Sequence, residues 1–435
     1  MHRDSKEHRL FHHYVTRVAV LMIHIDSERN PWKSTYPCIA LGNASSLSRS
    51  ASRASKSLYY ALLAQSASNL ANLYSHGHQG SSGSGSGSVA VEREMQNHAL
   101  KYYGLALREL RASLETPSED YSACIGTMYI LAVTDGAYSN VGRSWRRHFD
   151  GAASLIGHLS KQKPWGQSDD AWVISQSLAL SFEVAQTGCK APTRPSPLTD
   201  VLLGAVSSRK DFAYTIGAHR SVINSISAIR MLEGELAQGQ VSADLDPRIS
   251  RIWECLMSEE AAGDADSDDK RVHWPPEEDR LVGEEGGGGG EEKTKSKTGR
   301  TRLNQLHLNI FRNATLVYFY RAFFDAPPFV TQRFVSRVLA DATEFLDLNG
   351  GNISMWPVFI AAVEVCSDHD QRAVDRWLEF SYHLGLHNRL LARTIIHAVW
   401  RERDAEARRR AMHPSEVSVG WRDVQARLGL DICLL

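Results

Sequence analysis

No two of the six cysteines stand close enough to form a C-x-x-C pair: Cys38, Cys124, Cys189, Cys255, Cys366 and Cys433 are scattered along 435 residues. Such spacing argues against a zinc cluster and a dense disulfide framework, and it reads as reduced intracellular thiols that mostly fill core space. An excess of either charge is also missing. Lysine and arginine number 49 against 50 aspartates and glutamates, so there is no global electrostatic footprint for nucleic acid or an anionic membrane. The longest apolar run near the N-terminus, residues 18–23, is too short for a signal-peptide core or a membrane span. A soluble intracellular protein is expected, and the glycosylation sequons at Asn43 and Asn313 become chance matches. G-x-x-x-x-G-K-[ST], G-x-S-x-G and H-E-x-x-H do not occur, and no segment alternates convincingly enough for a strand.

What the chain does contain is helical period. Trp145, Phe149, Ala152, Ile156 and Leu159 follow one another at steps of four, three, four and three, which predicts one buried helix face. Leu10, Tyr14, Val18, Leu21 and Met22 mark a first helix that Asn30-Pro31-Trp32 interrupts. Leu62, Ser66, Leu70 and Leu73 share a face of the next, and Tyr103, Leu107, Leu110 and Leu114 a face of another, which Thr116-Pro117-Ser118 stops. Asp120 is placed to cap a helix that is apolar all round over 123–133, and 172–184 is a second buried helix. Further helices are read at Val222, Ile226 and Ile229, at Leu303 to Val317, at Val335 to Phe345, at 355–364 with Pro357 in the first turn, and at Leu384 to Ala398.

The predicted fold is all-α, a multi-helix array of helical hairpins in two packed halves. Residues 1–258 form the N-terminal half, with a flexible Gly/Ser loop at 77–88, and residues 303–435 form the C-terminal half. Between them, 259–302 is acidic, then glycine-rich, then basic, and it is expected to be a disordered linker or insert, since few groups there can join a core. At 435 residues the chain exceeds what one core usually holds.

Several motifs together resemble the regulatory domain of fungal zinc-cluster transcription factors, the fungal-specific transcription factor domain, in its arginine-metabolism-regulator-like branch. They are His13-Tyr14, Asn30-Pro31-Trp32-Lys33, Ala61-Leu62-Leu63-Ala64-Gln65, Tyr102-Tyr103 with Leu107 and Leu110, and the 145–159 helix. Trp356-Pro357-x-Phe359-Ile360-Ala361-Ala362, Val399-Trp400-x-x-Arg403-Asp404 and Trp421-x-x-Val424 complete them. The resemblance implies a nuclear regulator of RNA polymerase II transcription, without catalytic activity. Its partners would be the transcriptional machinery or coregulators, related factors in homo- or heterodimers, and a small metabolite. Family members typically begin with six closely spaced cysteines that hold two zinc ions and contact DNA. These residues contain no such cluster, so no metal or other cofactor and no direct DNA contact is expected of them. The chain is then either part of a longer one or a member without its DNA-binding module. Two other readings stand beside this one: an orphan α-helical enzyme, and a dominant-negative partner that occupies surfaces of full-length relatives.

Single residues add few candidates. His383 and His387 would share a face if one helix carried both, but Gly385 lies between them and no third ligand is evident. His148 stands off the Trp145/Phe149 face and reads as a satisfied interior or capping histidine. Glu402, Asp404 and Glu406 among arginines read as a solvated helix face. The basic residues Lys293, Lys295, Lys297, Arg300 and Arg302 match a nuclear-import signal in composition. Trp145, Phe149, Trp356 and Phe359 could line a ligand pocket, although each is the kind of residue that normally builds core. Catalytic and metal-binding residues are assigned to none, and cofactor- or ligand-binding residues stay unassigned.

Overall fold

The computed structural model describes residues 5–42, 52–79, 86–115, 120–139, 144–189, 196–239, 245–264, 290–348 and 351–435. Among them the secondary structure is helical throughout, with no strand. From the N-terminus come α1 (Ser5–His13), a π-helical turn (Tyr14–Val18), α2 (Ala19–Leu21), α3 (Thr35–Leu41), and the long pair α4 (Arg53–Gln79) and α5 (Ser86–Leu114). Next are α6 (Tyr121–Val133) with a π-helical turn (Thr134–Tyr138), α7 (Ser144–His158), α8 (Asp169–Gln186), a π-helical turn (Leu198–Leu203), α9 (Gly204–Val206), α10 (Arg220–Ala237) and α11 (Leu245–Asp264). The last group is α12 (Gly290–Phe324), α13 (Pro328–Asp347), α14 (Met355–Ala362), α15 (Asp368–Tyr382), α16 (Asn388–Arg410) and α17 (Trp421–Arg427).

Neighbours in sequence pack as hairpins, most extensively α4 on α5 and α12 on α13. The close approach of α4 and α5 depends on small residues. Ala54, Ala61, Ala64 and Ala67 of α4 are buried, and the Ser57 hydroxyl donates to the Ala106 carbonyl at 2.8 Å. That approach fixes the rotation of α5 differently from the predicted face. Tyr102, Ala106 and Leu110 point inward, whereas Leu107 and Leu114 are exposed, because in a helix a shift of one residue in phase turns the buried stripe by about 100°. The 77–88 segment is also corrected. Helical backbone covers 77–79 and 86–88, since both helices propagate past their packed region, and only 80–85 lie outside the described residues. Of 259–302, helical backbone covers 259–264 and 290–302, and 265–289 lie outside the described residues.

The 145–159 helix buries Trp145, Phe149, Ala152 and Ile156 as its spacing requires, with Leu159 half-buried just beyond the end of α7. Trp145 meets Phe149 edge-on at 6.0 Å, and Phe149 reaches Phe182 of α8 at 5.7 Å. α6 is buried on nearly every side. Asp120 caps it, its Oδ1 accepting from the Ser122 and Ala123 amides at 2.9 and 3.4 Å. Asp120→Ala is expected to lower the free energy of unfolding by roughly 1 kcal/mol, read as a shift of the urea midpoint, and a change below about 0.3 kcal/mol would show the cap to be idle.

α11 and α15 are absent from the sequence reading. α15 presents only Val374, Trp377, Leu378, Ser381 and Tyr382 to the core amid charged neighbours, a stripe too brief to stand out. The cysteines are less uniformly interior than expected: Cys124 and Cys433 are buried, Cys189, Cys255 and Cys366 are half-buried, and Cys38 is exposed. None forms a disulfide among the described residues.

Candidate functional site

Deep in the array lies a cavity of about 90 Å³ whose wall draws on both ends of the chain. Ile23, His24 and Trp32 come from the N-terminal segment, Tyr138 from the π-helical turn after α6, Ser177 and Ser181 from α8, Phe311 from α12, Trp356 from α14, Arg389 from α16, and Leu434 and Leu435 from the C-terminal segment. Ring contacts and hydrogen bonds position this wall. Trp356 stacks on Phe311 at 5.8 Å and donates its indole Nε1–H to the Thr187 hydroxyl at 2.8 Å, so its orientation is set by one packed face and one hydrogen bond.

Three tethers position the remaining groups. First, Tyr138 sits on a turn whose Asp135 accepts from the Tyr103 hydroxyl at 2.8 Å, while His148 Nε2 lies 2.7 Å from that hydroxyl and 3.2 Å from Asp135. With the phenol proton given to Asp135, the histidine nitrogen donates. All three groups are thereby satisfied by one another, and next to the Asp135 carboxylate in a part-buried setting the Tyr103 phenol is pushed up in pKa, first by burial. His148 is the satisfied interior histidine that its position implied.

Second, Gly136 in the same turn lets the C-terminal segment approach, since a Cβ there would stand 2.6 Å from Cys433 Sγ. Third, α4 reaches across to the turn before α16. Asn69 donates to the Leu384 carbonyl at 2.9 Å, and Asn72 donates to both Tyr138 and Gly385 carbonyls at 2.9 and 3.0 Å. Gly385 adopts φ 82° there, where a Cβ would meet Asn69 Nδ2 at 2.4 Å. A left-handed residue breaks the helix, so His383 belongs to the end of α15 and His387 to the start of α16, and the shared face that two ligands would need does not exist.

Arg389 is the one fully buried cation in this wall, 1% exposed. Its Nη1 donates to Met355 Sδ at 2.7 Å, Asn388 Oδ1 at 3.0 Å and the Leu435 main-chain oxygen at 3.3 Å, and its Nη2 reaches Asn352 Oδ1 at 3.4 Å. The Met355, Asn388 and Asn352 acceptors are neutral side-chain groups, and Nε has no partner. Burial accordingly pulls the guanidinium down to about 9. Tyr138, the nearby phenol, is pushed up by burial.

Beside the cavity, His24 and His307 stack at 4.3 Å. His307 Nδ1 donates to the Gly217 carbonyl at 2.9 Å, which fixes the tautomer and leaves Nε2 facing the Ser354 amide at 3.5 Å. Both rings are held neutral by burial, His307 at about 4 and His24 well below its ordinary value.

Of the four aromatic residues singled out from the sequence, only Trp356 lines the cavity. Trp145 and Phe149 are core, and Phe359 packs edge-on against Trp421 at 5.0 Å. Arg389, Tyr138 and His24 went unnoticed, and Trp32 was read only as part of the Asn30-Pro31-Trp32-Lys33 motif. A signal for Arg389 existed, since Arg389, Ala392, Ile396, Val399 and Arg403 follow at helical steps and all five are buried. An apolar stripe that begins and ends on arginine marks two guanidiniums entering the core. Arg403 donates to the Val363 and Val365 carbonyls at 2.6 and 3.0 Å, and Trp400 Nε1 to the Ala362 carbonyl at 2.9 Å. The Trp400-x-x-Arg403 pair therefore closes the C-terminal end of α14, whose last carbonyls have no partner within the helix. Glu402 and Glu406 pair with Arg427, and with Arg409 and Arg410, at the surface, as a solvated face would. Arg300 donates to the Asp26 carbonyl and Arg302 forks onto Glu344, both at 2.7 Å, and the side chains of Lys293, Lys295 and Lys297 lie outside the described ones.

An all-α array folded around an interior pocket, with no group of three His, Cys, Asp or Glu placed to hold a metal among the described residues, defines a helical pocket-bearing module. No helix among the described residues is long and apolar enough to cross a membrane. The chain belongs to the family of the fungal specific transcription factor domain, whose model matches residues 9–435. No curated protein and no solved structure matches it. The family's field is transcription regulation, and it is not an enzyme family.

Proposed function

We propose that this chain is the effector-responsive regulatory domain of a nuclear transcription regulator. It acts without catalysis and without a cofactor, by contacting coregulators or related factors, and it takes a small metabolite into the central cavity. One observation carries the reading: the cavity wall joins the N-terminal and C-terminal segments of the chain to the helices between them through Ile23, Tyr138, Trp356, Arg389 and Leu434. An occupant therefore bears on the packing of elements that are remote in sequence. If two packings of the array differ in cavity shape, a ligand shifts their balance by its difference in affinity for the two, and by no more.

The test joins residues 1–435 to a heterologous DNA-binding module on a reporter and screens small organic acids, amino acids and aromatic metabolites for unfolding-midpoint shifts. An effector at a hundredfold excess over its Kd adds about 2.7 kcal/mol, and the same compound should change reporter output. Reporter regulation without any binding compound would leave a scaffold for partners. No regulation together with a turnover lost on changing His148 or Asp135 in a folded protein would favour an enzyme. A fluorescent fusion outside the nucleus under all conditions would overturn the nuclear reading.

A further inference from the structure

We infer that the outward face of α5 is a self-association surface, on which a second copy of this chain lays its own α5 antiparallel, the two helices meeting at Gly104. The inference goes beyond the regulatory reading and does not use the cavity. Leu100, Leu107 and Leu114 point into solvent, 72, 40 and 48% exposed. Single exposed leucines are ordinary. These three follow at intervals of seven, the repeat that keeps apolar groups on one seam between two helices. The inward face of α5 is already built from Tyr102, Ala106 and Leu110, so the leucines form a second stripe, open to solvent. Gly104 lies on it, four residues after Leu100 and three before Leu107. It is exposed, and a Cβ there would meet nothing within 4 Å. Glycine inside a helix is less stable than alanine, and no described group takes up the space its missing methyl leaves. A second helix crossing at Gly104 would, since a small residue between two leucines makes a hole for a partner's side chain.

The charges along the stripe select the occupant and its direction. A two-fold axis at Gly104 sets Leu100 against the partner's Leu107 and Arg111 against the partner's Asn97. It sets Arg93, eleven residues before Gly104, against the partner's Glu115, eleven after it, and symmetry makes that pair twice. Arg93, Asn97 and Arg111 are exposed. Glu115 stands 3.8 Å from Arg111 of its own helix with its side chain 72% exposed, within reach of a second cation. A parallel pair would instead place Arg93, Arg108, Arg111 and Glu115 each on its own like, which is repulsive. An unrelated partner has no reason to repeat this spacing, whereas a second copy repeats it by necessity. The stripe is about 33 Å long and one helix wide. It is smaller than the roughly 800 Å² per partner of a standard interface, so the dimer is weak, with a Kd of roughly 10–100 µM.

The experiment is sedimentation velocity on the full chain, from well below to well above that concentration, with urea midpoints measured on dilute samples of every variant. A monomer–dimer equilibrium is expected, abolished in Leu100→Glu/Leu107→Glu while the urea midpoint stays at the parent's value, because both side chains are exposed. Gly104→Ala should move the two readouts in opposite directions: the urea midpoint rises through better helix propensity, and the dimer weakens by about fivefold or more because the methyls hold the helices apart. Arg93→Glu and Glu115→Arg should each weaken the dimer, and the two together should restore it. A chain that stays monomeric at every concentration overturns the inference. So does a dimer indifferent to Leu100→Glu/Leu107→Glu, which would lie on another face, or one tightened by Gly104→Ala, which would exclude a close crossing. A monomer whose reporter output is lost in Leu100→Glu/Leu107→Glu overturns it too, and gives the face to a coregulator. None of these readouts involves the cavity, so failure here leaves the effector reading to the metabolite screen.

Discussion

Arg403→Ala is expected to lower the free energy of unfolding by about 3–5 kcal/mol. Arg403 and Glu364 are each 1% exposed and lie 3.3 Å apart, and Arg321 Nε approaches the same carboxylate at 3.0 Å. Truncation leaves the Val363 and Val365 carbonyls without donors, weakens the neutralisation of a buried carboxylate, and opens a void between α14 and α16. Arg321 survives as a partner of Glu364, which keeps the loss from rising further. Arg403→Lys retains charge but cannot fork across two carbonyls, and it should recover only part of the loss. Urea midpoints for the parent and both variants decide the matter. A loss below about 1 kcal/mol for alanine would mean that the end of α14 is held by Trp400 alone.

Acid should destabilise the protein through the stacked His24/His307 pair, and the sign follows from their depressed values. Above about pH 6.5 both rings are neutral whether the chain is folded or not, so the stability is fully present. As pH falls towards 4, the unfolded chain binds protons that the folded core refuses, and each ring then costs about 1.4 kcal/mol per pH unit. At pH 4.5 His307 by itself removes roughly 2.5 kcal/mol, and His24 adds to the loss in the same direction. Protonation has nowhere to go in the fold: His307 Nδ1 already donates to Gly217, its Nε2 faces an amide, and the stacked neighbour is another imidazole. Gly217 itself is fixed by this contact, as a Cβ at its φ of 68° would lie 2.5 Å from the His24 ring. The measurement compares urea midpoints from pH 7.5 to 4.5 in the parent and in His24→Gln/His307→Gln. Parallel pH profiles would show that other groups govern acid unfolding.

Residues near one another in sequence made the fold class legible. Trp145, Phe149, Ala152 and Ile156 repeat at the period of a helix, Asp120 stands where a cap is needed, and Pro357 sits in a first turn that tolerates it. Motif order carried the family, because the pattern from His13 to Trp421 is written in single residues whose packing roles are local. Partnering across the chain was not legible. Leu107 and Leu114 look as apolar as Leu110, and only the approach of α4 through its alanines decided which of them face inward.

The sequence by itself thus determined the all-α class, most helix positions and the family, since the helical repeat and the caps are properties of a few neighbouring residues. Tertiary structure alone decided that Arg389 ends in an aromatic cavity without an acidic side chain against it, that His24 meets His307, and that Arg403 closes α14. Those outcomes depend on which helices lie against each other, and a period of 3.6 residues specifies a face without naming the surface that will cover it.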